Sequence, residues 1–360
     1  MAYITSMIAV LFRPLERGQV LFVFLVLSAL LSAILIVVLM PLLRRYALAR
    51  PNARSSHRIP TPQGGGIAVI AATCLPIMIM LLLSEPDFKY AWESGHGLRF
   101  LWLTFAATIG LAIVGAVDDI RPLPVLPRLL LQLLAVMAIA ASARGGNFLP
   151  LPDWIAVIVV YLAGLWFVNL VNFMDGLDCI TIAEMVPITA FVAILGWFGF
   201  IPLSAALVAA ALCGALLGFA PFNRPVAKLF LGDVGSLPIG LLVGWMLLQL
   251  AGTGAVVAAI LLPLYHLMDA TITLLRRLAR GEKVWEAHRS HFYQQATNNG
   301  FTALSVSAHV FGLNLALAGL AAVTLLWPSW PVQAACLTLG VAIVAWLLSH
   351  FAKPRLQSPA

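Results

Sequence analysis

The apolar run Ile155-Ala-Val-Ile-Val-Val-Tyr-Leu-Ala-Gly-Leu-Trp-Phe-Val168 leads directly into the polar stretch Asn169-Leu-Val-Asn-Phe-Met-Asp175-Gly-Leu-Asp178. Carboxamide and carboxylate side chains recur in the second stretch at every third residue, so neighbouring members share one face of a helix. Three such steps rotate the chain by about 180°, so Asn169 and Asp178 would point apart unless the helix ends near Gly176. The pattern predicts a membrane-spanning helix that ends in a polar loop at the membrane surface, where ionisable groups face water or take part in chemistry.

The composition excludes a soluble globular protein. Of the 360 residues, 62% are hydrophobic and 10% are charged, which is typical of a polytopic membrane protein. The four cysteines are scattered and suggest neither a disulfide framework nor a zinc site. The fold class is therefore predicted to be all-α, a single helical bundle over residues 1–360, and Met1–Phe12 is interpreted as an interfacial segment. Eleven transmembrane helices are predicted at 19–43, 66–84, 98–117, 128–143, 153–172, 180–198, 201–221, 235–251, 254–276, 303–326 and 331–351.

The distribution of basic residues predicts the orientation. Most Lys and Arg residues lie in the connections after the odd-numbered spans, which the positive-inside rule places in the cytoplasm. The N-terminus is then outside and the C-terminus is cytoplasmic. Several aspartates share these same connections, a mixture that indicates a site. The cytoplasmic loops predicted to form it are 44–65, 118–127, 173–179, 222–234 and 277–302.

Two of these loops carry carboxylates with an unusual environment. Asp118 and Asp119 are adjacent and repel each other, which favours a shared proton or a bound cation, although a solvated helix end would look the same. Asp233 lies between two glycines that allow a close approach of a ligand to the backbone. Lys228 is near enough in sequence to meet a phosphate, and Phe230 offers a flat face for a base. The alternative is a glycine-rich turn with a snorkelling lysine.

Histidines and arginines in two further loops could contact an anion. His288 and His291 are three residues apart, with Arg289 beside them, which suits a phosphate better than a metal because no third histidine is near. An interfacial helix that touches anionic lipid is the alternative. His57 lies in a loop rich in Pro and Gly, where a plain connection is equally compatible. Asp269 falls inside a predicted span, where carboxylates usually have a role or a partner, whereas the isolated His266 is given no role.

Together these residues predict a site for a ligand with several phosphates. Carboxylates alone would repel a diphosphate, so a divalent ion must lie between them, and Mg²⁺ is the natural choice, with Mn²⁺ as a substitute. Lys, Arg and His would neutralise the remaining charge, as phosphoryl transfer requires. A site at the cytoplasmic membrane surface can meet a soluble nucleotide from one side and a lipid phosphate from the other. Transport of a phosphorylated solute or lipid is the alternative function.

On these residues the chain resembles the polyprenyl-phosphate N-acetylhexosamine-1-phosphate transferases, glycosyltransferase family 4, over roughly residues 45–295. The motifs that carry the resemblance are Asp118-Asp119, Asn172-Phe-Met-Asp175-Gly-Leu-Asp178, Phe230-Leu-Gly-Asp233-Val-Gly-Ser and His288-Arg-Ser-His291. Three residues depart from the family pattern. Cys179 stands where the family usually has Gly, Gln63 where relatives often have a basic residue, and Pro122 where some members have a third acid.

The resemblance implies a reaction and its partners. A UDP-N-acetylhexosamine, in some relatives a 6-deoxy sugar, would donate its sugar 1-phosphate to undecaprenyl phosphate, releasing UMP and starting O-antigen or another surface polysaccharide. The enzyme would work in the bacterial inner membrane with its site facing the cytoplasm. The lipid bilayer is thus a partner and nucleic acid is not, and a homodimer is left open because lipid-facing and partner-facing surfaces look alike in sequence.

The resemblance also implies roles for the site residues. Asp233 would bind Mg²⁺ together with Asp119, and Asp118 or Asp119 would deprotonate or position the lipid phosphate. The predicted catalytic residues are Asp118, Asp119, Asp233 and His291. The predicted substrate-binding residues are His57, Asn172, Asp175, Asp178, Lys228, Phe230, His288 and Arg289, with Phe230 stacking on uracil.

Overall fold

The computed structural model describes residues 14–49, 60–83, 97–140, 151–283 and 288–354. This part of the chain is almost entirely helical, which confirms the predicted all-α membrane fold. The helices are α1 (Pro14–Tyr46), α2 (Gly66–Leu83), α3 (Gly97–Ile120), α4 (Val125–Ala140), α5 (Asp153–Met174), α6 (Ile180–Trp197), α7 (Leu203–Asn223), α8 (Asp233–Gly252), α9 (Val256–Leu261), α10 (Leu264–Ala279), α11 (Phe292–Asn298), α12 (Ala303–Leu326) and α13 (Trp330–Phe351). The short strands β1 (Leu48–Ala49) and β2 (Thr61–Pro62) pair antiparallel.

Nine helices in the described part of the chain are long and apolar enough to cross a membrane. They correspond to nine of the eleven predicted spans. The predicted span 128–143 is the 16-residue helix α4, and the predicted span 254–276 is divided into α9 and α10. The division falls at Pro263, which lacks the backbone N–H that a continuous helix needs. The count of eleven, the orientation and the single domain over 1–360 stay predictions, and Met1–Phe12 lies outside the described residues.

Helix α8 lies at the centre of the bundle. In the 18-residue apolar stretch of α8, 89% of the residues are buried, whereas 28% are buried in the corresponding stretch of the outer helix α1. Helices α2, α3 and α5 pack directly against α8. The outer helices present large apolar side chains outward, as a lipid environment requires: Phe22 is 66% and Val38 is 67% exposed. The start of α8 is therefore enclosed by the ends of three other helices.

Two glycines allow α2 and α3 to approach the start of α8. A Cβ on Gly66 would lie 2.2 Å from the Cα of Gly235, and a Cβ on Gly115 would lie 2.2 Å from the backbone oxygen of Asp233. Only a residue without a Cβ can occupy either position without displacing backbone. These two contacts set the distance of α2 and α3 from the first turn of α8.

The connection between α7 and α8 is tied to the start of α2 by backbone hydrogen bonds. The N–H of Phe230 donates to the carbonyl of Pro62 at 2.8 Å, and the N–H groups of Gly65 and Gly66 donate to the carbonyls of Phe230 and Leu231 at 2.9 Å. The loop that carries Phe230 thus has a defined path toward Asp233.

Candidate active site

Asp119, at the end of α3, caps the N-terminus of α8. Its Oδ1 accepts a hydrogen bond from the N–H of Asp233 at 3.0 Å, and its Oδ2 accepts one from the N–H of Val234 at 3.1 Å. Gly232 has a φ of +78°, and a Cβ there would lie 2.6 Å from Asp119 Oδ2, so glycine is needed for this approach. The negative charge of Asp119 therefore lies at the positive end of the α8 dipole.

Asp118 faces Asp233 beside this cap. The Asp118 carboxylate is nearly buried, accepts the N–H of Leu123 through Oδ1, and pairs with Arg128 Nη1 through Oδ2 at 2.7 Å. The carboxyl groups of Asp118 and Asp233 lie close enough to interact electrostatically. Two neighbouring carboxylates repel each other unless a proton or a cation lies between them.

Asn172, near the end of α5, orients Asp233 from the other side. Its Nδ2 donates to Asp233 Oδ1 at 2.7 Å and to Ser236 Oγ at 2.9 Å. Because an amide group can donate in two directions, one side chain joins the end of α5 to the first turn of α8. Three separate segments of the chain, those of Asp118 and Asp119, of Asn172 and of Asp233, thereby meet at one point.

The helix α5 ends at Met174, close to the predicted position at Gly176. Burial raises the pKa of Asp175 to about 8, and the nearby negative charges of Asp233 and Asp119 act in the same direction, while a hydrogen bond from the Thr181 hydroxyl lowers it. Asp175 therefore carries a proton for much of the time at neutral pH.

The outer members of the three-residue series have partners outside this cluster, and because α5 ends at Met174 the helical drift does not extend to Asp178. Asp178 accepts the N–H of Ala227 through Oδ2 at 3.1 Å, in the loop between α7 and α8. Asn169 is buried, and its Nδ2 donates to Gln132 Oε1 at 2.7 Å. Asp178 thus fixes a loop at the edge of the site, and Asn169 joins α5 to α4.

Cys179 adopts the left-handed backbone conformation, with a φ of +63°. Its N–H donates to Asn223 Oδ1 at 2.8 Å, and Asn223 Nδ2 donates to the carbonyl of Leu229 at 3.0 Å. This is the conformation that glycine adopts without steric cost, which gives a physical reason for a glycine at this position. The cysteine keeps that backbone conformation at the cost of strain.

Replacing Cys179 by Gly is expected to stabilise the protein by about 0.5 kcal/mol. Relief of left-handed strain is worth roughly 1–2 kcal/mol, and the added chain entropy of glycine in the unfolded state offsets roughly 0.4–1 kcal/mol of it. Thermal unfolding in detergent measures the change. Cys179→Ala is the control, because it removes the thiol but keeps the strain; an equal gain with alanine would contradict the explanation.

Residues 288–291, here called the histidine loop, lie directly before α11. The rings of His288 and His291 stack with centroids 4.8 Å apart. Burial lowers the pKa of His288 to about 4, and the neighbouring His291 and Arg277 act in the same direction. His288 is therefore uncharged at neutral pH, so its contribution to a phosphate site is hydrogen bonding. The Tyr293 hydroxyl donates to the carbonyl of Phe173 at 3.1 Å, which joins this loop to the end of α5.

The other predicted substrate-binding residues are described by their burial alone. Lys228 is exposed and Phe230 is partly buried, and both lie in the loop before α8. Arg289, which follows His288 in the sequence, is partly buried. His57 lies outside the described residues. Gln63 joins the segment before α2 to the end of α3, since its Nε2 donates to the backbone oxygen of Asp119 at 3.1 Å.

Several residues that contribute contacts to the site have no role in the sequence prediction, namely Arg128, Thr181, Ser236, Asn223 and Tyr293. For Ser236 a signal existed, because it lies three residues after Asp233 and so shares its helix face. Arg128 and Asn223 reach their partners only through the folding of whole loops, so spacing alone could not identify them.

The donor set fits a magnesium ion. Within the described residues, no three His, Cys, Asp or Glu side chains form a ready-made metal site. Mg²⁺ usually binds one or two carboxylates and completes its shell with water and substrate phosphate, so Asp233 with one carboxylate of the Asp118–Asp119 pair would be enough to hold it. The Asp119 oxygens each accept one backbone N–H and keep a further lone pair. The assignment of Asp233 and Asp119 as metal ligands stays a prediction.

Comparison with known proteins gives consistent matches. Residues 101–251 match the model of glycosyl transferase family 4. The phospho-N-acetylmuramoyl-pentapeptide-transferase of Shouchella clausii is 32% identical over 254 residues, which cover 63% of this chain and 73% of that protein. The decaprenyl-phosphate N-acetylglucosaminephosphotransferase of Mycobacterium leprae is 25% identical over 295 residues, 71% of each chain. The corresponding protein of Mycobacterium tuberculosis is 26% identical over 290 residues, 71% of this chain and 70% of that protein.

Proposed function

Because the chain belongs to glycosyl transferase family 4, the polyprenyl-phosphate hexosamine-1-phosphate transferases, we propose that it transfers an N-acetylhexosamine 1-phosphate from a UDP-sugar to undecaprenyl phosphate. The products are undecaprenyl-diphospho-sugar and UMP. We further propose a bacterial inner-membrane enzyme whose lipid product starts O-antigen or another surface polysaccharide, with a 6-deoxy N-acetylhexosamine among the candidate donors. The alternative of a transporter is not retained, because the relatives are named as transferases.

One observation supports the proposal most directly: Asp119 of α3 accepts the N–H groups of Asp233 and Val234, and Asn172 of α5 donates to Asp233 Oδ1, so motif residues from three segments meet at the start of α8. In the proposed reaction an oxygen of the lipid phosphate attacks the phosphorus attached to the sugar. The bond from that phosphorus to the bridging oxygen of UMP breaks, and UMP leaves with the electron pair. A bound Mg²⁺ would offset the negative charge that develops on the phosphate oxygens.

The chain's own residues have distinct tasks in this scheme. Asp233, together with Asp119 or Asp118, would hold the divalent ion, and Arg128 keeps Asp118 in place. Asp175, whose pKa is raised to about 8 by burial, follows α5 directly after Met174 and would hold a proton beside the site.

A panel of donors tests the proposal. Purified full-length protein in detergent is incubated with undecaprenyl phosphate and UDP-GlcNAc, UDP-GalNAc or 6-deoxy analogues, and the lipid product is identified by mass spectrometry. We expect one donor to give a lipid whose mass gain equals the sugar phosphate, with equimolar UMP. Removal of divalent ions by EDTA should stop the reaction, and Mg²⁺ should restore it. Lack of a lipid product with every donor would overturn the proposal.

An apolar cavity offers space for the acceptor's hydrocarbon chain. It measures ≈ 260 Å³ and is lined by apolar residues of α4, α5, α8, α9 and α10. Val168 and Gly240, which line it, lie on the same helices as Asn172 and Asp233, farther from the polar end. A polyprenyl chain in this cavity would place its phosphate toward the carboxylate cluster.

Filling the cavity is expected to weaken the lipid acceptor selectively. Ala163 lines the cavity, so Ala163→Phe should raise KM for undecaprenyl phosphate by on the order of tenfold, with KM for the UDP-sugar unchanged. The matched control is Leu162→Phe, on the same helix but outside the cavity lining, where the side chain is 60% exposed. Steady-state kinetics against each substrate measures both constants. An unchanged lipid KM in Ala163→Phe would exclude this cavity as the acceptor site.

A further inference from the structure

Asp269 is a fully buried carboxylate on α10 that receives hydrogen bonds from several parts of the chain. Its Oδ1 accepts the N–H of Phe292 at 3.0 Å and its Oδ2 accepts the N–H of Tyr293 at 3.2 Å. The hydroxyl groups of Tyr265 and Thr273 each donate at 3.3 Å. All of these partners are donors, so an ionised carboxylate, which only accepts, satisfies them all.

The backbone contacts show what Asp269 holds. Phe292 and Tyr293 form the first turn of α11, a helix of seven residues. Such a short helix has little stability of its own, so its position depends on tertiary contacts. Here the contact is a negative side chain that caps two backbone N–H groups, and it fixes where the histidine loop enters the helix.

The same carboxylate sets the state of the His291 ring. His291 Nδ1 lies 3.2 Å from Asp269 Oδ1, and the ring is buried. An ionised carboxylate accepts only from a protonated nitrogen, so Nδ1 carries hydrogen and Nε2 is the nitrogen left to face a ligand. Asp269 therefore determines both the tautomer and the direction of this imidazole. Carboxylates that accept the second N–H of a metal-binding histidine have the same effect.

Tyr293 extends the contact to the loop 172–178, which carries Asp175. Its hydroxyl donates to the carbonyl of Phe173, and a Cβ on Gly176 would lie only 2.3 Å from the Tyr293 oxygen. The glycine thus leaves just enough room for the tyrosine. A displacement of α11 would be transmitted to the loop that carries Asp175.

We propose that Asp269 is a positioning residue for the reaction: it holds His291 with Nε2 toward the substrate and, through Tyr293, keeps the histidine loop in register with the loop 172–178. The inference rests on the proposed function for its kinetic consequence alone, since the structural consequence can be measured without substrate.

Nuclear magnetic resonance of full-length protein labelled with ¹⁵N-histidine tests the structural part. The His291 signal is assigned by its loss in His291→Gln. In the wild type we expect a protonated Nδ1. In Asp269→Asn the amide nitrogen must face the N–H of Phe292 or that of Tyr293, and the uncharged amide is a weaker acceptor for the imidazole N–H than the carboxylate, so the two ring nitrogens should shift toward the averaged values of mixed tautomers. A wild-type His291 protonated only at Nε2 overturns the proposal, whether or not the variant folds.

Kinetics tests the positioning part. Asp269→Asn is expected to lower kcat about 10²-fold, with KM for the UDP-sugar within threefold of the wild type, because misplacement of about 1 Å has that effect. Thr273→Val is the matched control, because it removes one donor to Asp269 Oδ1 and keeps the charge of the carboxylate. The His291 signal should be unchanged, and kcat should stay within twofold of the wild type. Tyr293→Phe should lower kcat while leaving the His291 signal unchanged.

The outcomes separate the two proposals. If the wild type makes no product with any donor, the proposed transferase function fails, and the His291 spectrum still decides the role of Asp269. If Asp269→Asn is folded by size-exclusion chromatography and keeps both the wild-type His291 signal and the wild-type kcat, the positioning role is wrong while the transferase function stands.

Discussion

The Asp233→Asn protein is expected to form lipid-linked product more slowly by on the order of 10³-fold. The substitution keeps the volume of the side chain and removes one of the two charges that face each other at the start of α8. The Asn172 amide, which donates to Asp233 Oδ1 at 2.7 Å, loses its charged acceptor. Initial rates with saturating donor and acceptor measure the loss.

Asp153→Asn is the matched control for this experiment. Asp153 also lies in the first turn of a membrane-spanning helix, α5, but it is exposed and has no place in the carboxylate cluster. The same chemical change there should leave the rate within twofold of the wild type. Both variants should unfold at wild-type temperatures within a few degrees. If Asp233→Asn keeps more than one tenth of the wild-type rate, the reaction does not depend on the charge of Asp233.

The meeting of the aspartates could be predicted because each one lies at the end of an apolar run. Asp119 ends α3, Asp175 follows α5 and Asp233 begins α8. Helices that span one membrane in alternating directions bring such ends to one surface, so the sequence order alone restricts where they can lie. The structure adds the contacts among them, which no spacing rule contains.

The capping function of Asp119 could not be predicted in the same way. It depends on the positive φ of Gly232 and on the distance between α3 and α8, which is set by Gly115. Hydrophobic periodicity defines which residues are helical but not how closely two helices pack. Asp119, which the sequence predicts as a metal ligand, thus also caps the N-terminus of α8.

A buried polar cluster was also missed. His266 Nδ1 lies 3.2 Å from Glu184 Oε2 with both side chains fully buried, and the amide of Asn314 donates to the same carboxylate. Isolated histidines in apolar runs give no signal by themselves, but Glu184 does, since a carboxylate inside an apolar run needs a partner. Its partners come from α10 and α12, far away in sequence.

The division of the predicted ninth span shows why prolines are ambiguous in membrane helices. Pro187 and Pro238 lie inside the continuous helices α6 and α8, whereas Pro263 separates α9 from α10. Neighbouring helices can satisfy the backbone groups that a proline frees, so the outcome depends on packing and not on the proline itself. The sequence therefore indicates an apolar segment at 254–276 but not its break.

Gly115→Ala is expected to lower kcat about 10²-fold without changing any polar side chain. A Cβ at this position would lie 2.2 Å from the backbone oxygen of Asp233, whereas ordinary contacts begin near 3.4 Å. The helix α3 must therefore move away from α8 by about 1 Å, a displacement that can lower the rate 10²-fold by misplacing reacting groups. Because Asp118 and Asp119 follow on the same helix, both carboxylates move away from Asp233.

Gly110→Ala separates this effect from a general change in α3. Gly110 lies on the same helix, and a Cβ there meets nothing within 4 Å, so the helix need not move. Since alanine favours helix more than glycine does, Gly110→Ala should leave kcat unchanged and raise the unfolding temperature slightly. Equal kcat values for Gly115→Ala and Gly110→Ala would mean that the distance between α3 and α8 does not control the reaction. A selective loss in Gly115→Ala would show that the rate depends on where the backbone holds the aspartates, because both variants keep every polar side chain.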